Sequence, residues 1–474
     1  LSDAEAAKRD RLSLPDTWAF SATSLPLAAL AVTIGVYLSP HYSDQNGIAL
    51  PIAAVGAAFG IVRLIDMPID FMLGLAMDRT KTKWGRYRIW TILGGPITFL
   101  AVYMLYFAKP GVGMAYLVTW LLIMYIGTSI LTLAHSAWAA TLARTYDERS
   151  RLYGIMAAVG VLGSTAVLAT PGVLNLIDPS KDVGVLAMGW FILAFVPLAV
   201  ILVVWRTPER LAPEAKGQRF TLKDYISLAA RPSMGRIIVA DFFLSLGPQW
   251  TGALYVFFFT DSRGFTRAET MWLLVLYMFA GFFGAPLIAR LAMAISKHRT
   301  AMISIAGWGI ILASLMLTPS GNIPIGAIQM FALGFLAAGF NVVTRAMTAD
   351  VADEIRLEQG LERSGLLFAF TTLTTKLAGA MGIFASYQVL GAVDYKSGVE
   401  NTPEAIHGMM LAYIVVPVVF MIVAALCLRG YPLSKEKHAD IRRELEIRDA
   451  SLLMQDTAIA VDNGPPPEPE PAKS

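Results

Sequence analysis

Twelve apolar runs, each long enough to cross ~30 Å of hydrocarbon as a helix, recur along almost the whole chain. A soluble core needs no run of that length, so the pattern excludes a large water-soluble enzyme with an unusually oily interior. Breaks at charge clusters and Gly/Pro turns predict helices over 17–40, 49–77, 89–108, 113–142, 152–177, 184–206, 235–260, 267–293, 300–318, 322–347, 365–391 and 404–428. Composition fits that reading: 56% of residues are hydrophobic and only 15% charged, where a soluble domain carries about 25% charged. The expectation is an all-α membrane protein of twelve spanning helices. Cys427 is the single cysteine, so no internal disulfide can form. The leading stretch LSDAEAAKRDRLSLPD is polar and has no signal-peptide core, so the first apolar run is expected to stay as a helix.

Basic residues give the sidedness. Most of the 38 lysines and arginines fall in the N-terminus, the even-numbered connections and the tail, whereas the opposite loops hold only Lys109, Lys181, Arg263, Arg267 and Lys396. The positive-inside rule then predicts two cytoplasmic termini, in what is expected to be a bacterial inner membrane. The longest internal polar stretch, RTPERLAPEAKGQRFTLKDY, divides the helices six and six. The expected organisation is a cytoplasmic N-terminus (1–16), a first bundle (17–206), a central loop (207–234), a second bundle (235–428) and a tail (429–474). In the tail, Ile441, Leu445 and Leu452 recur at helical spacing and predict a surface helix, and NGPPPEPEPAKS is expected to be disordered. Two six-helix halves joined by a basic loop are the layout of alternating-access transporters. A formal net charge of only +3 gives nucleic-acid binding no support.

Against this apolar background the segment RLIDMPIDFMLG stands out. Asp66 and Asp70 are four residues apart and share one helix face, with Arg63 close to it. An acid or base at the centre of a membrane helix costs about 3 kcal/mol on insertion scales, so such residues face a polar cavity or a partner. An Arg63–Asp66 bridge would account for one acid and leave Asp70 over; the net negative charge suits a transported monovalent cation. Pro68 removes an N–H and leaves the Leu64 carbonyl without its helix donor. Lys376, among the threonines of FTTLTTKLAGAMG, is expected to face the acids across a central cavity and couple ion to solute, with Thr372 beside it. His135 is read evenly as a cation or proton ligand and as a structural interhelical contact, and Thr132, about one turn before it, could add an oxygen. Trp138, Gln249, Trp250 and Asn341 are further candidates for the cavity wall. Asp78, Arg79, Arg86, Asp147, Glu148 and Arg149 lie at the cytoplasmic helix ends, where they could form a gate or simply set topology.

GLAMDRTKTKWGR resembles the loop signature between helices 2 and 3 of the major facilitator superfamily, and WGRYRIW resembles its glycoside-pentoside-hexuronide:cation symporter branch. RLIDMPID is similar to that branch's cation-site segment, YDERSRL to its loop between helices 4 and 5, and TADVADE with LERSGLLFAFTTLTTK to its helix 10–11 region. YPLSKEKHADIRREL is similar to its tail. The resemblance implies that Asp66 and Asp70 are the cation-binding acids, Lys376 the coupling lysine and Thr132 a cation-site threonine. The chain also departs from the pattern. The helix 4 acid is replaced by His135, the helix 1 sugar-binding acid falls near Pro26, and the helix 5 arginine falls near Met156 or Ala157, so a galactoside cargo is not implied.

The resulting expectation is a monomeric secondary transporter that uses no cofactor and moves a small polar solute, a sugar or glycoside, with H⁺ or Na⁺. Loss of the helix 4 acid tilts the choice towards H⁺, because a proton needs one carboxylate where Na⁺ needs several oxygens. A lipid or lysolipid carrier of the same branch is the alternative and would require an apolar cavity. A membrane-embedded enzyme would need a catalytic motif, and no phosphate loop, HExxH, cysteine pair or nucleophile elbow is present.

Overall fold

The computed structural model describes residues 13–80, 82–142, 146–177, 184–207, 209, 227–228, 230–360 and 364–462. The sequence alone predicted the first bundle's helices closely. They are α1 (Leu14–Ser43), α2 (Ile52–Arg79), α3 (Tyr87–Tyr106), α4 (Met114–Leu142), α5 (Tyr146–Ile177) and α6 (Gly184–Arg206). The second bundle holds α7 (Pro232–Ser262), α8 (Arg267–Ala294), α9 (Lys297–Leu317), α10 (Ile323–Gln359), α11 (Ser364–Ala392) and α12 (Pro403–Leu428). All twelve contain segments long and apolar enough to cross a membrane. α10 runs twelve residues beyond its predicted end at 347, because TADVADEIRLEQ is rich in helix formers and nothing stops it before Gly360, whose φ of +67° closes the helix. Chemical stops and starts recur elsewhere: Thr266 and Glu269 form a reciprocal capping box on α8, and Thr402 caps α12 ahead of Pro403.

Packing repeats with an offset of six helices. α1 packs on α5 as α7 packs on α11, α2 on α4 as α8 on α10, and α3 on α4 and α6 as α9 on α10 and α12. The two halves meet through α2 with α11 and α5 with α8, which the same offset interchanges. The sequence Gly56-Ala-Ala-Phe-Gly60 puts two glycines on one face of α2, and this face is the contact with α11. A Cβ at Gly60 would stand 2.7 Å from that of Phe384, and Gly56 sits as closely against Tyr387.

Bonds between the halves cluster at the end opposite the termini. Arg267 meets Asp44 at 2.7 Å, the Gln45 N–H donates to the Ser397 carbonyl at 2.9 Å, and Asn46 donates to the Gly398 carbonyl. Tyr387 donates to Ser39 at 2.9 Å and Gln388 to the Ala53 carbonyl at 2.8 Å. Beside them Tyr395 donates to Asp261; burial, reinforced by that carboxylate, holds its phenol far above the ordinary range, so it stays a donor. Towards the terminus-bearing end, α2 and α11 leave Phe71, Met72 and Leu373 uncovered.

The expected tail helix is present as α13 (Lys435–Asp462), and Ile441 and Leu445 are buried where it packs on α10. Lys437, His438 and Arg442 meet Glu354 and Asp353 of α10 at 3.5, 3.0 and 3.7 Å. The predicted disordered stretch NGPPPEPEPAKS, most of the N-terminus and most of the central loop lie outside the described residues. Of that loop Glu209 is described. Its carboxylate accepts from the backbone N–H groups of Arg86, Tyr87 at 2.7 Å and Arg88 at 3.1 Å, capping α3. Gly85 makes this possible, since its φ of +109° and the nearness of Glu209 both exclude a side chain.

Candidate functional site

α2 remains a continuous helix through Pro68, so the three-residue and four-residue spacings put Arg63, Asp66 and Asp70 along one side. Arg63 Nη1 lies 2.9 Å from Asp66 Oδ2, and its guanidinium stands over the Tyr125 ring, 4.8 Å from the centroid. Asp66 is fully buried, and its second oxygen accepts from the Ser129 hydroxyl of α4 at 3.0 Å. Asp70 forms an ion pair with Lys376 on α11, bridging the two halves. No hydroxyl or amide of the described residues donates to Asp70 besides.

The sequence reading left a net negative charge on this cluster. In the structure two acids face two cations and the cluster is neutral, because the helices bring Lys376 from the other half onto the acid that Arg63 does not serve. Both cations are a quarter exposed; among the described residues Lys376 is bound to Asp70 without further bonds, whereas Arg63 is held by Asp66 and a ring face.

The helix 4 candidates fall elsewhere. Ser129, not Thr132, reaches Asp66; Thr132 is exposed, and no hydrogen bond joins it to either acid among the described residues. His135 is buried, stacked on Phe20 with ring centroids 4.4 Å apart, and its Nε2 lies 3.0 Å from the Phe20 carbonyl. A carbonyl only accepts, so Nε2 carries the proton and the ring ties α4 to α1. Its neighbour Trp138 is also buried, edge-on to Phe20, with the Arg88 guanidinium 5.8 Å from its ring centroid.

On the second half, α7, α8, α10 and α11 enclose a cavity of about 270 Å³. Gln249 and Asn341, two of the predicted wall residues, line it together with Thr375. Trp250 does not: it is buried, and its indole N–H donates to the Ala412 carbonyl at 2.8 Å while its ring packs edge-on against Phe420. Thr372 is exposed on α11, its hydroxyl bonded to the Phe368 carbonyl at 3.0 Å. Sequence reasoning missed Asp241, which is buried at the cavity wall and accepts from the Thr374 hydroxyl. The signal was there, an acid inside the apolar run VADFFLSLG, and the cost that singled out Asp66 applies to it equally.

The proposed gate residues are only partly visible. The side chains of Asp78, Asp147 and Arg149 lie outside the described residues. Arg79 is exposed, Glu148 is buried, and Arg86 engages Glu209 through its backbone.

The family model described as MFS/sugar transport protein matches residues 19–435. The chain is 24% identical over 428 residues to the isoprimeverose transporter of Lactiplantibacillus pentosus, covering 85% of each protein. It is 26% identical over 432 residues to the lactose permease of Lactobacillus delbrueckii subsp. bulgaricus, covering 84% of this chain and 66% of that protein. Among solved structures, the nucleoside transporter NupG superimposes with a TM-score of 0.65 at 11% identity, covering 88% of this chain and 100% of NupG, which speaks for the fold alone. Twelve spanning helices packed as two six-helix repeats, a signature loop ahead of α3 and a sugar-transporter family match spanning both bundles lead to one conclusion: the chain is a transporter of the major facilitator superfamily and belongs to its glycoside-pentoside-hexuronide:cation symporters.

Proposed function

We infer that this protein couples the inward movement of a monovalent cation to uptake of a sugar or glycoside. Asp66 and Asp70 receive the ion, Lys376 acts as the coupling switch, and the solute binds between the halves. The observation that carries the reading is the Asp70–Lys376 pair: two opposite charges within spanning helices, one from each bundle, whose partnership an arriving cation must break. A proton does this with a single carboxylate. Na⁺ would need several oxygens, and the cluster offers Asp66, Asp70 and the Ser129 hydroxyl, so the reading favours H⁺. Bonds between the halves at the end opposite the termini, with uncovered helix faces at the other, support a conformation open to the cytoplasm. Within a largely apolar lining, the carboxylate, amide and hydroxyl side chains of the α7–α8–α10 cavity give a polar cargo hydrogen-bond partners.

Purified protein in liposomes should accumulate isoprimeverose, lactose or methyl β-glucuronide above its outside concentration when an inward pH gradient is imposed, and lose the gain when an ionophore collapses that gradient. Accumulation that needs an inward Na⁺ gradient at equal pH would keep the symport and reassign the ion. Accumulation of none of them under either gradient would overturn the reading.

A further inference from the structure

On the first bundle, the positions to which the family resemblance assigns a helix 1 acid and a helix 5 arginine carry Pro26, which is buried, and Met156 or Ala157, none with a side-chain hydrogen-bonding group. On the second bundle, the 270 Å³ cavity carries a carboxylate, two amides and several hydroxyls, which is the chemistry that recognises vicinal hydroxyl groups.

The fold builds this cavity deliberately. α8 and α10 approach until a Cβ at Gly284 or Gly334 would run into the backbone of Phe335 or Tyr277, and Gly334 and Tyr277 line the cavity together with Asn341. α7 brings Asp241, Ser245 and Gln249 at four-residue spacing, so all three lie along one stripe of the helix and all three line the cavity. Pro248, on the same stretch, leaves the Leu244 carbonyl without its donor four residues on, which adds an acceptor to the α7 wall. The Thr374 hydroxyl holds Asp241 from behind. One such bond leaves a carboxyl group with further hydrogen-bonding capacity for a ligand.

We propose that the sugar is recognised from the second bundle, with Asp241 as the specificity-determining acceptor and Ser245, Gln249 and Asn341 completing a polyol subsite on α7 and α10. The inference rests on the sugar-symport reading above. It moves the recognition acid from the first bundle to helix 7 and leaves Asp66 and Asp70 free for the ion. Lys376 and Thr374 are two residues apart on α11, so one helix touches both the ion cluster and the sugar subsite. Solute binding and release of Lys376 then act on the same rigid element.

The test is sugar exchange at equal ion concentrations across proteoliposomes, which needs no coupling, using whichever of isoprimeverose, lactose or methyl β-glucuronide wild-type protein exchanges with the lowest KM. Asp241→Ala and Asp241→Asn should raise that KM about tenfold to a hundredfold, the span expected for hydrogen bonds to a charged group, while the maximal rate stays within about twofold. Ser245→Ala should raise KM several-fold, and Met156→Ala, in the first bundle, should leave it unchanged. Should the Asp241 variants fail to insert, Ser245→Ala and Thr375→Val carry the same test. Wild-type KM in Asp241→Ala and Ser245→Ala would overturn the proposal. So would an Asp241→Ala protein that loses thermal stability and maximal rate at unchanged KM, since the acid would then only pin α11 through Thr374. Absence of exchange by wild type with every sugar would instead defeat the symport reading, and this proposal with it.

Discussion

At the scale of single residues, the ion cluster shows how far a pattern reaches. The i, i+3, i+7 spacing of Arg63, Asp66 and Asp70 was legible because a helix converts spacing into shared direction. Lys376 was legible because a lysine in an apolar helix has few places to go. The identity of the α4 partner was not. Ser129 and Thr132 are three residues apart, and only the rotation of α4 against α2 decides that Ser129 meets Asp66 at 3.0 Å while Thr132 stays exposed. His135 was ambiguous for the same reason, since its bond to the Phe20 carbonyl depends on how α1 lies on α4. The choice between the hydroxyls is testable. Ser129→Ala removes a donor to a buried carboxylate, which corresponds to roughly tenfold in affinity, and should shift the ion concentration for half-maximal uptake by about that factor. Thr132→Ala should shift it by less than twofold. Equal shifts would place the cation nearer Thr132 than the structure implies.

At the scale of helices, the apolar runs gave the twelve spans with errors concentrated at ends where polar sequence continues a helix, as in α10 beyond 347. The tail helix was readable from Ile441 and Leu445, yet its partner was not, because the matching acids Asp353 and Glu354 lie about ninety residues away in a stretch taken for a loop. Glu209 capping α3 was likewise hidden, since a long polar linker gives no hint that one of its residues folds back. The α2–α11 contact depends on Gly56 and Gly60, which let the helices come close enough for Tyr387 to reach Ser39 and Gln388 to reach the Ala53 carbonyl. Gly60→Leu should hold these helices apart at the closed end. Exchange of a bound sugar should fall more than about tenfold, in line with the cost of overpacking a tight contact, with membrane insertion unchanged. Wild-type exchange in that variant would mean the contact is dispensable to the cycle.

At the scale of the whole molecule, the six-plus-six division was legible in the sequence, and the packing that repeats with an offset of six helices shows why it matters. On the proposed reading, the two similar bodies that meet through α2 with α11 and α5 with α8 rock about that seam. The seam carries weak, exposed pairs such as Asp44–Arg267 at its rim, where ion pairs are worth at most about 1 kcal/mol and are readily exchanged. The Asp70–Lys376 pair across the seam is less exposed, and a carboxylate left there without its partner costs more than one at the rim. The account therefore places control of the cycle at that pair, with the cation deciding whether Lys376 is held or released. The most direct measurement compares uphill uptake with equilibrium exchange in reconstituted Asp66→Asn and Asp70→Asn proteins. The account predicts that each variant inserts normally and still exchanges sugar, but no longer accumulates it when an ion gradient is imposed. Accumulation at wild-type levels in both variants would contradict it.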